Sequence, residues 1–317
     1  MMSRMEKSRY SGFQQFNSRV SKTINVIFAF KYTSCSMNKI SAFVPVAPWD
    51  LMPSQLLFKS LNKYFDPESL EMVVIAYPYK PVMEEYLKAL KPRFNYTVIN
   101  EEDVIPADDY ALFKKRKGWF RQQIVKMYIS QSVKTEFYIC LDSDLLCIKP
   151  TSYHDLIKNG KPGINLESKD VHAHWWRQSQ KVLKLPDSPH SMGMSSSTNI
   201  LITKETCDLI TYIEKTYKRS FTRTLLNWYW INSYVFRRHW TEYKLYWLFI
   251  EYKNKVDAYD PQNKIWGKSI WKTTEQVDDK LFQEILGPGN DGYFIVWQSP
   301  KVSYEQICEK AAQHLGI

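Results

Sequence analysis

Asp142 and Asp144, one residue apart, close the apolar run EFYICL that begins at Glu136. Two acids this close repel unless a cation lies with them. Carboxylate oxygens suit a hard divalent ion such as Mn2+ or Mg2+, which can neutralise a diphosphate in turn. A bare Asp-x-Asp is commonly a solvated turn. Here it ends a strand-like run, and open α/β sheets gather their ligands at the carboxyl ends of strands. Upstream, Lys114, Lys115, Arg116, Lys117, Arg121 and Lys126 occur with no acid between Asp109 and Glu136. The plain reading is a solvated helix face. Trp119, Gln122, Gln123 and Lys126 nevertheless fall at i, i+3, i+4 and i+7, on one side of a helix that leads into the strand ending at Asp142, placed to touch a sugar or phosphate bound at the metal. A third acid, Glu242 in the block TEYKLY, has the chemistry of a general base. It has structural alternatives: a pair with Lys244, Arg237 or Arg238, or a cap on a helix beginning near Thr241. Asp257 and Asp260 are weaker candidates for the same role.

The elements that must position these groups alternate. Strand patterns at ISAFVPVA (40–47), LEMVVIA (70–76) and 95–99 are separated by helical patterns over 53–65 and 81–90. A helical segment, 118–133, then enters the strand at 136–142, whose near-continuous apolar character predicts a buried, mostly parallel sheet flanked by helices. A polar loop, SPHSMGMSSSTN (188–199), precedes a strand at 200–203 and an aromatic-heavy helical region, 204–252, most of whose rings are expected in the core. One more strand, YFIVWQS (293–299), and a helix at 303–314 complete an α/β domain over 38–317. Its halves divide near residue 150.

Composition narrows the function. No run approaches the roughly 20 apolar residues of a membrane span. With 10 Gly in 317 residues, glycine-rich phosphate loops have little material, which argues against a Rossmann dehydrogenase or a P-loop kinase. The net charge is +10, but residues 1–39 hold seven Lys or Arg against one acid, so the excess sits before the first strand. That disfavours nucleic acid as a partner. Residues 1–37 read as a basic, flexible extension suited to approach an anionic membrane surface. The five cysteines form no CxxC pair and fit a reducing, cytoplasmic setting.

GWFRQQIVK, YICLDSDLLCIKP, TEYKLY and FIVWQS, in this order, resemble the GT-A glycosyltransferases with a DxD motif, and within them a bacterial and large-DNA-virus, chlorovirus-like branch. The resemblance covers about residues 40–300. It implies a GT-A fold, a nucleotide-sugar donor, Mn2+ or Mg2+ at Asp142 and Asp144, a glycan or glycoprotein acceptor and sugar transfer to its hydroxyl. Glu242 becomes the base of an inverting reaction. Donor contacts come from Val44, Pro45, Val46 and Asp50 after the first strand, with Trp49 beside them, and from Trp119, Gln122, Gln123, Lys126, Ser143 and Gln298 in the matching blocks. The chain departs from that branch at SPHSMGM, where a His-rich block is expected and only His190 stands with Met192. His172 and His174, beside Trp175 and Trp176, do not share a helical face and have no third ligand nearby, so acceptor contact suits them better than zinc. Two other classes remain: a carbohydrate-binding protein on a degenerate transferase fold, and a haloacid-dehalogenase-type phosphatase. The phosphatase motif ends the first strand of its domain, whereas three strand patterns precede Asp142.

Overall fold

The first strand, β1 (Ile40–Pro45), is buried along its whole length because it lies mid-sheet, between β2 (Leu70–Ala76) and β4 (Phe137–Cys140). The computed structural model describes residues 38–236, 239–271, 277–298 and 302–317, with backbone alone over 229–236. The basic extension at 1–37 and the pairing candidates Arg237 and Arg238 lie outside the described residues. All described residues belong to one compact unit.

Five strands form the central sheet in the order β10-β4-β1-β2-β3, with β3 at Tyr96–Ile99 and β10 at Asn199–Ile202. β1 runs parallel to β2 and β4, β2 runs parallel to β3, and only β10 is antiparallel. The mostly parallel sheet expected from the near-continuous apolar strands is thus the one observed. Alternation along each strand sorts the side chains onto two faces. Phe43, Tyr138 and Cys140 enter one core, and Ala42, Val44, Ile139 and Leu141 enter the other.

The second of these cores is covered by α1 (Leu51–Tyr64) and α2 (Lys80–Leu90). The first is covered by α3 (Ala107–Phe113), α4 (Gly118–Tyr128), α6 (Ala173–Leu183), α7 (Thr203–Tyr217), α8 (Phe221–Phe236) and α9 (Glu242–Tyr252), whereas the one-turn α5 (Tyr153–Leu156), between α4 and α6 in sequence, packs on the second. The aromatic-rich region therefore breaks into three helices, and Trp240, Tyr243, Tyr246 and Trp247 are core, as their spacing predicts.

After β4 the chain turns through the acids into β5 (Leu145–Cys147), which pairs antiparallel with β11 (Phe294–Val296). Leu146, Ile295 and Trp297 pack under α10 (Asp279–Leu286) and α11 (Tyr304–Leu315). A two-residue hairpin, β6 (Ile157–Lys158) with β7 (Lys161–Pro162), follows α5. One expectation needs correcting. The segment read as a continuous polar loop contains β9 (Met192–Met194), paired with β8 (Leu166–Ser168). Its signal is hidden because Gly193 contributes no apolar side chain; a Cβ there would stand 2.2 Å from the Trp176 ring.

Candidate active site

The acids at the end of β4 meet the end of α4. Lys126, in the last turn of α4 and 2% exposed, donates from Nζ to Asp142 Oδ1 at 2.7 Å and to Glu242 Oε1 at 3.1 Å. The same ammonium lies 5.2 Å from the centre of the Tyr243 ring. Glu242 opens α9 and is 5% exposed; Thr241 before it is the cap, its hydroxyl accepting from the Lys244 N–H. Among the described residues Glu242 pairs with Lys126, and Lys244, one of its expected partners, pairs instead with Glu167, while Thr241 is the residue that caps the helix.

The electrostatics follow from one cation shared between two acids. Burial alone would lower the Lys126 pKa, but Asp142 and then Glu242 outweigh it and hold the ammonium charged. Burial pushes the Glu242 carboxyl up, Lys126 opposes this, and the Asp142 charge adds to the rise. Glu242 is therefore readier to carry a proton than an exposed glutamate. Asp50 is also raised, by burial first and then by Asp142 against a backbone hydrogen bond, which places it within electrostatic reach of the same acid.

A cleft opens over these groups, lined by Trp119, Gln122, Lys126, Asp142, Trp175, Ser196, Thr241, Glu242 and Tyr243. The i, i+3, i+7 face of α4 supplies Trp119, Gln122 and Lys126. Gln123 turns to the protein instead: its Oε1 accepts from the Glu242 N–H at 3.2 Å and its Nε2 donates to the Trp119 carbonyl at 3.0 Å. It ties α9 to α4 and so fixes the Lys126–Glu242 pair. At the start of α4, Gly118 lies beside the Trp49 ring, whose nearest atom would be in ordinary van der Waals contact with an added Cβ, at 3.7 Å.

The structure distributes the remaining sequence candidates unevenly. Val44 and Val46 are core residues on the α1 face, and Pro45 is buried at the end of β1. Ser143 is buried between the two acids. The Trp297 N–H donates to the Asp144 carbonyl at 3.1 Å, extending the β5–β11 ladder, so Gln298 is the residue after one bonded to the acidic turn. Asp257 and Asp260 do not line the cleft. Trp175, Ser196, Thr241 and Tyr243 do, although no sequence pattern assigns them to the site. Thr241 and Tyr243 flank Glu242, and Trp175 stands in the His172–Trp176 cluster, so each had a neighbour that drew attention. Ser196 had none. It is held from the side: Ser196 Oγ donates to Glu167 Oε1 at 3.2 Å, Glu167 pairs with Lys244, and Lys244 Nζ donates to the Met194 carbonyl at 2.7 Å.

Among the described residues no three His, Cys, Asp or Glu side chains form a metal cluster. The pair Asp142 and Asp144 still fits a hard cation that draws further oxygens from a diphosphate and water. Lys126 engages only one oxygen of Asp142, whose side chain is partly open to the cleft.

The sheet order, with the acids after β4 and a lone antiparallel strand beside them, belongs to the GT-A-type glycosyltransferase fold. Among solved structures that match the chain, WbbM, a bifunctional glycosyltransferase in its apo form, has a TM-score of 0.50 at 12% identity over 90% of this chain and 52% of its own. The chain thus spans about half of that protein. The apo form of mouse xyloside xylosyltransferase 1 matches with a TM-score of 0.47 at 13% identity, over 84% of this chain and 99% of its own. The galactosyltransferase LgtC, in complex with donor and acceptor sugar analogs, matches with a TM-score of 0.47 at 10% identity, over 86% and 96%. The chain belongs to the family described as a family of unknown function (DUF6492), which matches residues 37–317. No curated protein matches it.

Proposed function

We infer that the chain is a DxD-bearing, metal-assisted glycosyltransferase that moves a sugar from a nucleotide-sugar donor to a hydroxyl of a glycan or glycoprotein, with inversion. The observation that carries this reading is the juxtaposition of Asp142, Lys126 and Glu242 in one cleft at the carboxyl edge of the sheet. Asp142 and Asp144 would hold Mn2+ or Mg2+, which when bound neutralises charge on the departing nucleotide diphosphate. Lys126 brings a permanent positive charge to the same place, pre-set by the two carboxylates.

Glu242 accepts the proton of the acceptor hydroxyl as its oxygen bonds to the anomeric carbon of the donor. The bond from that carbon to the diphosphate oxygen breaks with its electron pair, and the nucleoside diphosphate leaves. One bond forms, one breaks, and the proton ends on Glu242. A carboxylate whose pKa is raised by burial is a stronger base than an exposed one and suits this role. Gln123 keeps Glu242 in place through its backbone.

Hydrolysis of a panel of nucleotide sugars, with and without a chelator, tests the reading, and NMR of the transfer product reports its anomeric configuration. Metal-dependent release of nucleoside diphosphate is expected. Carbohydrate binding with no donor turnover would favour the non-catalytic alternative, and a retained configuration would remove Glu242 from the base role.

A further inference from the structure

Ser196 is the exposed member of an otherwise buried run, Ser195 to Asn199, and it lines the cleft. The backbone on either side of it is pinned. Asn199 Nδ2 donates to the Ser195 carbonyl at 3.1 Å and to the Ser197 carbonyl at 2.6 Å, and the Ser195 N–H donates to the Asn165 carbonyl at 2.9 Å. Asn199 opens β10 opposite Cys140, the last residue of β4. The turn that presents Ser196 is thereby fastened to the strand end that carries the acids.

The side chain is held as firmly. Ser196 Oγ donates to Glu167 Oε1 at 3.2 Å, and the same oxygen accepts from Lys244 Nζ. Lys244 is fully buried; its Nζ also donates to the Met194 carbonyl at 2.7 Å and lies 4.6 Å from the centre of the Trp176 ring. An ammonium so enclosed cannot release its carboxylate without being left buried and unpaired, so Glu167 stays where it accepts from Ser196. Lys244 follows Glu242 in the first turn of α9. The turn that brings Glu242 to the cleft therefore also sets, through Lys244 and Glu167, the direction of the Ser196 hydroxyl.

A hydroxyl has a single proton to give and two lone pairs to offer. Ser196 has given its proton to Glu167, so toward the cleft it can only accept. We propose that Ser196 is a specificity-determining contact for the acceptor sugar: it accepts from a second hydroxyl of the sugar whose first hydroxyl reacts at Glu242, with Glu167 and Lys244 as its positioning residues. This rests on the glycosyltransferase reading and narrows the acceptor to a sugar with a free hydroxyl at that second position. A deoxy, fluoro or ether group there has no proton to give and leaves the Ser196 lone pairs unmatched. The acceptor sugar, rather than the donor, is the partner because the turn of α9 that orients Ser196 is the one that carries the base.

The full chain can be titrated with methyl glucoside and methyl galactoside, each beside its monodeoxy and monofluoro analogues, with tryptophan fluorescence as the readout. At the ring position facing Ser196, removing or fluorinating the hydroxyl should weaken binding about three- to tenfold, the worth of one neutral hydrogen bond. Ser196→Ala should erase the loss at that position and keep losses at other positions, and Ser196→Thr, which retains the hydroxyl, should restore it. Because Ser196 is exposed, these variants test the contact independently of folding. The double variant Glu167→Gln with Lys244→Met removes both charges together and keeps Ser196; the discrimination should shrink, and its persistence in full would overturn the positioning role. The same analogue losses in wild type and in Ser196→Ala would overturn the contact, as would binding of no probe. So would a Ser196→Ala variant that raises the KM for donor hydrolysis and leaves probe discrimination alone. Discrimination that depends on Ser196, in a protein that hydrolyses no nucleotide sugar, would instead sink the transferase reading and leave the contact standing.

Discussion

Glu242 Oε1 lies 3.1 Å from Lys126 Nζ, although 116 residues separate the two in sequence. The contact joins the first residue of α9 to the last turn of α4. One ammonium then serves two carboxylates, and burial raises the pKa of Glu242. The cleft thus holds a fixed positive charge beside an acid able to take up a proton.

A pH dependence follows, with a definite sign. A general base works only when deprotonated, so transfer should rise with pH along a limb set by Glu242, lying above the ordinary glutamate value of about 4.3. Glu242→Gln preserves the shape and the N–H to Gln123 but removes the base. Turnover at saturating donor should fall by roughly 10²–10⁴-fold, and the acidic limb should disappear. A variant with near-normal turnover, or one that keeps the limb, would take Glu242 out of the reaction.

Lys126→Met tests the pair as a structural unit. Removing the cation leaves Glu242 buried and Asp142 beside it without compensation, a change that costs about 3–5 kcal/mol for a buried pair. The thermal midpoint at neutral pH should drop accordingly. The sign with pH is fixed by Glu242, whose folded pKa rises further in the variant. The folded state then binds a proton more tightly than the unfolded chain, so stability is recovered below the unfolded value and lost as pH rises through the folded one. The double variant Lys126→Met with Glu242→Gln should recover much of the loss at neutral pH; no recovery would mean that Lys126 acts mainly through Asp142.

The parts of this arrangement legible in sequence are those with a local signature. Asp142 and Asp144 announce themselves by ending an apolar strand, and the spacing of Trp119, Gln122 and Lys126 holds because an α-helix fixes it. Gln123 shares that spacing, yet its side chain is claimed by the Glu242 backbone, a contact no pattern within α4 could show. Ser196 follows β9, a strand with a glycine at its centre that pairs with the distant β8, so neither its strand nor its role left a periodic trace. Val44 and Val46 illustrate the opposite difficulty: apolar residues at a strand end read alike whether they face a base or a core, and here they pack in the core.

Metal dependence makes a separable prediction for the acidic turn. Chelation should abolish donor hydrolysis, and added Mn2+ or Mg2+ should restore it. Asp142→Asn and Asp144→Asn should each weaken metal activation. Asp142→Asn also removes one negative partner of Lys126, so the two variants should differ in thermal stability while sharing the loss of activity. Chelator-resistant turnover, or full activity in both variants, would exclude this turn as the metal site.

The family match begins at residue 37, and the basic surplus lies before the first strand. A chain starting at Met37 is therefore expected to fold with an unchanged thermal midpoint and to hydrolyse donor at the full-length rate. Any difference should appear in association with vesicles containing anionic lipid, which the longer chain should favour at low salt. A large fall in the midpoint on truncation would show that the basic segment contributes to the folded domain.

Gly193 tests the link between the β8–β9 strand pair and the cleft. The Trp176 ring occupies the space above Gly193, with its nearest atom 2.2 Å from the position of an added Cβ. That ring cannot simply swing aside, because it is itself buried, with Lys244 Nζ 4.6 Å and Lys169 Nζ 5.0 Å from its centre. Gly193→Ala must therefore move β9, at a cost of about 1–3 kcal/mol for an overpacked site. Moving it shifts the Met194 carbonyl from Lys244 and carries Ser196 away from Glu167 and the cleft wall. The acids, Lys126 and the sheet edge stay where they are. Donor hydrolysis should then be retained at a temperature well below the lowered midpoint, while the KM for an acceptor rises severalfold. Loss of donor hydrolysis in step with acceptor use would show that β9 supports the whole site, and an unchanged midpoint would show that the ring has room the structure does not give it.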